Sequence, residues 1–258
     1  MNRQLIGQAL LGLAVFFAGF GVAHAGSFSV NPVRVTLSAK QPVAAITVRN
    51  NATEPAVVQL ETSAWSQDQG KDVLVPTSEV LATPPIFTVA PGKTQILRVG
   101  LRRPASAAGE ITYRLVLREV PPQAPPASGL RVALLISMPI FVVPAATVAP
   151  TLAWRATKAA DGQIRVHVTN SGNAHVQLSK IDLALADGGK TLGSRAVAEY
   201  VLPGNTRSWL VKTTSPAASG AKVQINSATD AGAFESSVAL EVETAADAGV
   251  PTVPLAAR

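Results

Sequence analysis

From Phe28 onward apolar and polar residues alternate in short runs. That period of two, rarely 3.6, leaves antiparallel sheet as the main structure open to the chain. Residues 33–37, 45–49 and 57–61 read as strands, with Asn50-Asn51 and Glu54-Pro55 as turn residues between the last two. Residues 86–89, 95–99, 111–119 and 130–143 continue the series, and Pro91-Gly92 is a turn dipeptide within it. About seven strands in about 115 residues, with no helical stretch of about ten, predict an antiparallel sandwich of immunoglobulin type. Residues 143–150 carry two prolines among small residues and read as a short hinge. A second series follows at 164–169, 176–185, 208–213, 222–225 and 236–242, punctuated by Asp161-Gly162, Ser171-Gly172-Asn173, Asp187-Gly188-Gly189 and Pro203-Gly204. The expected fold class is therefore all-β: two immunoglobulin-like β-sandwich domains, 26–144 and 145–258, joined by a short hinge. The small-residue end, 245–258, is expected to fray.

The first 25 residues have the three parts of a secretory signal. Arg3 gives the positive start, an apolar run follows from Leu5 to Val22, and Ala23-His24-Ala25 offers a cleavage site. The alternative is a retained membrane anchor, since the run is nearly long enough to span. Gly19 and Gly21 weaken that helix, and the expectation is cleavage and export.

Composition narrows the chemistry. Cysteine is absent, which excludes a disulfide framework, thiolate zinc sites and a cysteine nucleophile. Of three histidines, His24 leaves with the signal; His167 and His175 remain and read as surface or boundary residues. No nucleophile elbow, zinc-protease motif or phosphate loop is present, and the carboxylates are scattered, so neither an enzyme, a metal site nor a cofactor is expected. Charged residues are 15% of the chain, below the usual ~25%. The net charge of +6 permits nucleic acid, but aromatics are 5% and the densest basic group, Arg98, Arg102 and Arg103, has none interleaved. No nucleic-acid partner and no small-molecule substrate are expected.

The most informative segment is 129–143, in which Leu130, Val132, Leu134 and Ile136 share one face of a strand. It reads either as a core strand, or as an edge meant to pair with another chain. The second reading draws on its length and on the Pro-rich loop before it, Pro121-Pro122-Gln123-Ala124-Pro125-Pro126. A long apolar edge strand is an aggregation hazard unless pairing is its purpose.

In order along the chain, several stretches resemble the periplasmic chaperones of the chaperone–usher pathway, which assemble pili. They are Asn31-Pro32-Val33-Arg34-Val35; Ala82-Thr83-Pro84-Pro85-Ile86-Phe87 with Pro91-Gly92-Lys93-Thr94-Gln95-Ile96-Leu97-Arg98-Val99; Tyr113-Arg114-Leu115-Val116-Leu117-Arg118-Glu119-Val120-Pro121; 130–144; Val168-Thr169-Asn170-Ser171-Gly172-Asn173-Ala174-His175-Val176; and Leu202-Pro203-Gly204. The resemblance implies a non-enzymatic periplasmic protein whose partners are pilin or fimbrial subunits and an outer-membrane usher. In the family, the seventh strand of the first domain fills the open core groove of an incomplete subunit. By position Leu130, Val132 and Leu134 would be the insert, with Ile136 next. Burying three such side chains contributes roughly 5–9 kcal/mol before ordering costs. The same edge offers self-association of the free chain. In the family the subunit's terminal carboxylate is held by a first-strand arginine, matched here by Arg34, and a seventh-strand lysine, whose place falls on Pro139. Arg114 is similar in place to the sixth-strand arginine of the archaic, Csu-type branch and is the expected second cation. The competing reading is an exported two-domain immunoglobulin-like structural or adhesive protein whose long strand is core.

Overall fold

A computed structural model describes residues 28–103, 108–121, 132–159, 161–187, 189–244 and 247. The signal segment, Leu130 and most of the Pro-rich loop lie outside the described residues.

The first half holds β1 (Phe28–Asn31), β2 (Val35–Ser38), β3 (Val43–Asn50), β4 (Ala56–Asp68), β5 (Lys71–Pro76), β6 (Val80–Thr83), β7 (Ile86–Val89), β8 (Thr94–Leu101), β9 (Ile111–Val120) and β10 (Leu135–Val143). One sheet runs β1-β3-β8-β6; the facing sheet runs β2-β10-β9-β4-β5, with β7 also on β4. Between them lies a core that includes Leu37, Ile46, Leu97, Leu115, Met138 and Ile140. The second half holds β11 (Leu152–Lys158), β12 (Ile164–Asn170), β13 (Val176–Leu185), β14 (Thr191–Val201), β15 (Asn205–Val211), β16 (Lys222–Thr229) and β17 (Gly232–Val242). Their hydrogen-bonded order is β14-β13-β16-β17-β11-β12-β15, which wraps a separate core around Trp209, Ile164, Leu178 and Ile181. In each half the first strand on the sheet meets the last in parallel: β2 with β10, and β11 with β17. All other pairings described are antiparallel. The architecture is the expected one, all-β with two immunoglobulin-like domains.

Where the structure departs from the alternation pattern, the causes are local. The expected first strand, 33–37, is observed as β2 from Val35, and β1 is an addition before it on the other sheet, because the chain leaves one sheet at Asn31-Pro32 and joins the other at Val35. The hairpin β4–β5 is hard to see in the sequence because its two-residue turn, Gln69-Gly70, lacks the usual Asn or Asp. Both turn residues still adopt positive φ, 47° and 76°. β5 is exposed along its whole length, so it shows no in–out alternation. β6, β11 and β14 are likewise additions to the expected strands. The 130–143 strand begins at Leu135 among the described residues.

The segment read as a hinge is fastened to the second domain. Asn173 N–H donates to Ala149 O at 3.2 Å, its side chain accepts the Ala149 N–H at 2.9 Å, and Ser171 N–H donates to Thr151 O at 2.9 Å. Gly172 is the closest approach: a Cβ there would meet Ala149 O, Thr151 N and Pro150 C, the last at 2.8 Å, well inside normal contact. Of the end expected to fray, 245–258, only Asp247 is among the described residues; it is buried and paired with Arg155. We expect Gly172→Ala to lower stability by about 1–3 kcal/mol, as overpacking does. Thermal melts would check it; an unchanged melting temperature would show that the linker yields freely.

Candidate functional site

Three features of β10 define the site. Its even-numbered residues Met138, Ile140 and Val142 are buried in the first core. Ile136 packs against that core, and Leu134 lines the same apolar mouth with Phe28, Val48, Val58 and Leu117. Val132, one step further out, is 54% exposed. The even-numbered face of the strand is thus the core face, which Val132 continues past the end of the sandwich.

The edge is the second feature. Along one side β10 pairs with β9 from Leu135↔Arg118 to Val142↔Ile111. Along the other, β2 reaches only Ile140 to Val143. Residues 135–139 are therefore open on that side among the described pairings. Glu119 N–H donates to Leu134 O at 2.9 Å, so the narrow hydrogen-bonded pairs fall on even positions. Odd positions turn their polar groups outward: Leu135 and Ser137 present N–H and C=O to the open edge, and Pro139 presents C=O. Proline is compatible with this place because no ladder donor is required of it.

The third feature is the odd side-chain face. Phe141 is buried against Trp65 of β4 and Tyr200 of β14, with ring centroids 6.1 and 5.5 Å away. Trp65 meets Tyr200 edge-on at 5.5 Å, and Leu202 completes this inter-domain cluster. Gln67 locks it by donating to Tyr200 O at 2.9 Å and accepting Leu202 N–H at 3.0 Å.

Beside this cluster a cleft of about 420 Å³ opens between the domains, and Arg34, Arg114, Ser137, Pro139, Tyr200 and Arg207 are among its walls. The two arginines named from the sequence do meet here. Arg114, paired across the ladder with Pro139, is largely buried, with its guanidinium 3.7 Å from the Trp65 ring centre and 3.9 Å from Asp72. Burial pulls its pKa down, partly offset by Asp72, yet a guanidinium stays charged at any working pH. Arg34 is 42% exposed and donates to Asp230 Oδ2 at 2.5 Å. A third cation, Arg207, stands outside the resemblance; it bridges Asp72 at 2.9 Å and Glu199 at 2.8 Å.

Of the two histidines read as surface or boundary residues, His175 is half-buried between the domains and His167 is not at the surface. His167 is buried, with Nε2 3.1 Å from Thr157 Oγ1; burial foremost, then Arg155, lowers its pKa to about 4, so it is neutral. His175 stacks on Phe141 at 3.5 Å and 5°, places Nδ1 2.7 Å from Glu110 Oε1, and holds Nε2 3.5 Å from Asp230. Burial would lower its pKa, but Asp230 and Glu110 outweigh it, and the net direction is upward from 6.5. Spacing in sequence carries no sign of this chain, since Glu110 and His175 belong to different domains.

Comparison with known proteins places this arrangement. Residues 27–148 match the family of pili and flagellar-assembly chaperones, PapD N-terminal domain. Chaperone protein FimB/FhaD of Bordetella pertussis is 31% identical over 136 residues, 49% of this chain and 53% of that protein. The chain thus spans about half the length of this curated relative. A chain of the CsuC–CsuE chaperone–tip adhesion subunit complex, from archaic chaperone-usher Csu pili of Acinetobacter baumannii, superposes with a TM-score of 0.61 at 21% identity, over 84% of this chain and 100% of that one. The Salmonella enterica SafA pilin complex with the SafB chaperone gives 0.57 at 20%, over 81% and 95%. Residues 27–148 thus carry the sequence pattern of that chaperone family's N-terminal domain, and the solved structures show the same two-domain fold over 84% of the chain.

The raised pKa of His175 makes the domain contact pH-dependent. Its stabilisation is fully present below the unfolded value of 6.5 and is lost as pH rises through the higher folded value. Between about pH 6 and pH 9 the melting-temperature gap between wild type and His175→Gln should shrink. A gap independent of pH would mean that the folded imidazole carries no extra proton.

Proposed function

We propose that the protein is a periplasmic, non-enzymatic pilus-assembly chaperone that stabilises pilin subunits by donor-strand complementation and hands them to an outer-membrane usher. The observation that carries this reading is the half-paired β10. Its open edge at 135–139 offers the outward N–H and C=O groups that strand addition requires. The side chains leading out from the core, Ile136, Leu134, Val132 and then Leu130, would fill the subunit's groove. Leu130 lies outside the described residues; Ile136 contributes at the mouth of the chaperone's own core, and Val132 stands fully beyond it.

At the inner end of the open edge stand Arg34 and Arg114, suited to receive a subunit's terminal carboxylate. An arginine fork fixes the orientation of a carboxylate as well as its charge. Orientation sets register, and a slip of one residue would turn every inserted side chain away from its pocket. Without a client the same edge supports pairing with a second copy of the chain. The domains would divide as 26–144 and 145–258, with the signal at 1–25 directing export.

Co-purification with a co-expressed pilin subunit tests the reading. Val132→Asp should abolish the one-to-one complex while the chaperone stays folded, because the side chain is exposed in the free chain. Arg114→Ala should weaken the complex more than Arg102→Ala, and Arg114→Lys should restore it in part. A Val132→Asp protein that unfolds would make the strand a core element and favour the structural or adhesive reading. Wild-type complex yield from Arg114→Ala would leave Arg34 as the sole anchor.

A further inference from the structure

Arg34 and Arg114 share one cleft but are restrained in different ways. Arg114 is pinned against Trp65 and is only 14% exposed. Arg34 is 42% exposed; its Nη1 donates to Asp230 Oδ2, and the Tyr200 hydroxyl is hydrogen-bonded to it as well. Asp230 has partners besides Arg34. Its Oδ1 accepts the Gln177 N–H at 2.8 Å, and its Oδ2 lies 3.5 Å from His175 Nε2. His175 is in turn fixed by Glu110, whose carboxylate is buried, and by the Phe141 ring, with Tyr200 alongside.

We propose that Asp230 is an internal competitor for the anchor: its carboxylate occupies Arg34 in the client-free chain and is exchanged for the client's terminal carboxylate on binding. The proposal rests on the chaperone reading above. The exchange conserves ion pairs. Arg34 swings from one carboxylate to another, and Asp230 keeps the Gln177 N–H and the imidazole. A single-oxygen contact loses to a ligand that engages both arms of the guanidinium fork, so the competitor favours a free carboxylate over weaker acceptors. It also keeps a cation in a half-buried cleft from standing unpaired before a client arrives. His175 thereby becomes a positioning residue, because it supplies the partner that lets Asp230 release Arg34.

The test uses a synthetic probe: a peptide of alternating Val and Thr, solubilised by leading lysines, made with a free C-terminal carboxylate and as its C-terminal amide. Each form is titrated calorimetrically into the wild-type chain, Asp230→Asn and His175→Gln, with melts to confirm folding. The Asp230→Asn side chain keeps a carbonyl oxygen for the Gln177 N–H. The carboxylate peptide should bind Asp230→Asn about three- to tenfold more tightly than wild type, and the amide equally to both. His175→Gln should move the other way, weakening the carboxylate form alone. The proposal is overturned if wild type prefers the carboxylate over the amide but neither variant changes that preference. If the two peptides bind alike in all three proteins, the carboxylate anchor itself fails, and the competitor with it.

Discussion

An unpaired stretch of strand is the constraint around which this molecule is arranged. Among the described residues, β10 is paired on both sides only from Ile140 onward. Before that point its outward polar groups and its outermost apolar side chains face solvent or the mouth of the core. Such an edge invites indiscriminate pairing. Two local features limit it here: Pro139 removes one donor, and the open run is five residues long, 135 to 139. The same strand also supplies Phe141 to the domain interface on its opposite face. Core packing, the open edge and the inter-domain contact thus share one backbone, so a change in its register would disturb all three.

The second domain matters because it fixes what stands at the inner end of that edge. Trp65, Phe141, Tyr200 and Leu202 exclude water between the domains, and Gln67 makes the contact directional through two backbone hydrogen bonds. Around this apolar plug lie charged groups drawn from both domains: Glu110, His175, Asp230 and Arg34 on one line, Asp72, Arg114, Arg207 and Glu199 on another. Burial makes each pairing count for more than it would at the surface. Asp230 shows the balance: burial would raise its pKa, yet His175, the Gln177 N–H and Arg34 together hold it down at about 2.

Much of the fold is legible in the alternation of side chains, since a period of two survives wherever one face of a strand is buried. It fails where that condition fails. β5 is exposed throughout and β12 buried almost throughout, so alternation puts His167 on an outer face although it is buried beside Thr157 and Asp247. The arginines come to light through resemblance, and both do line the cleft. Their partners do not, because Asp230 and Arg34 are 196 residues apart and no local pattern links them. The hinge rests on composition alone, which reports chain stiffness but not the hydrogen bonds that Asn173 makes to it.

The most direct measurement is amide hydrogen exchange at single-residue resolution, in the free chain and in complex with a pilin subunit. The parity of the β9–β10 ladder turns the Leu135 and Ser137 N–H groups toward the open edge. Both should exchange quickly in the free protein and become protected on binding, while the even-numbered amides of β10 change little. A tight complex that leaves Leu135 and Ser137 exchanging as fast as before would contradict strand addition at this edge.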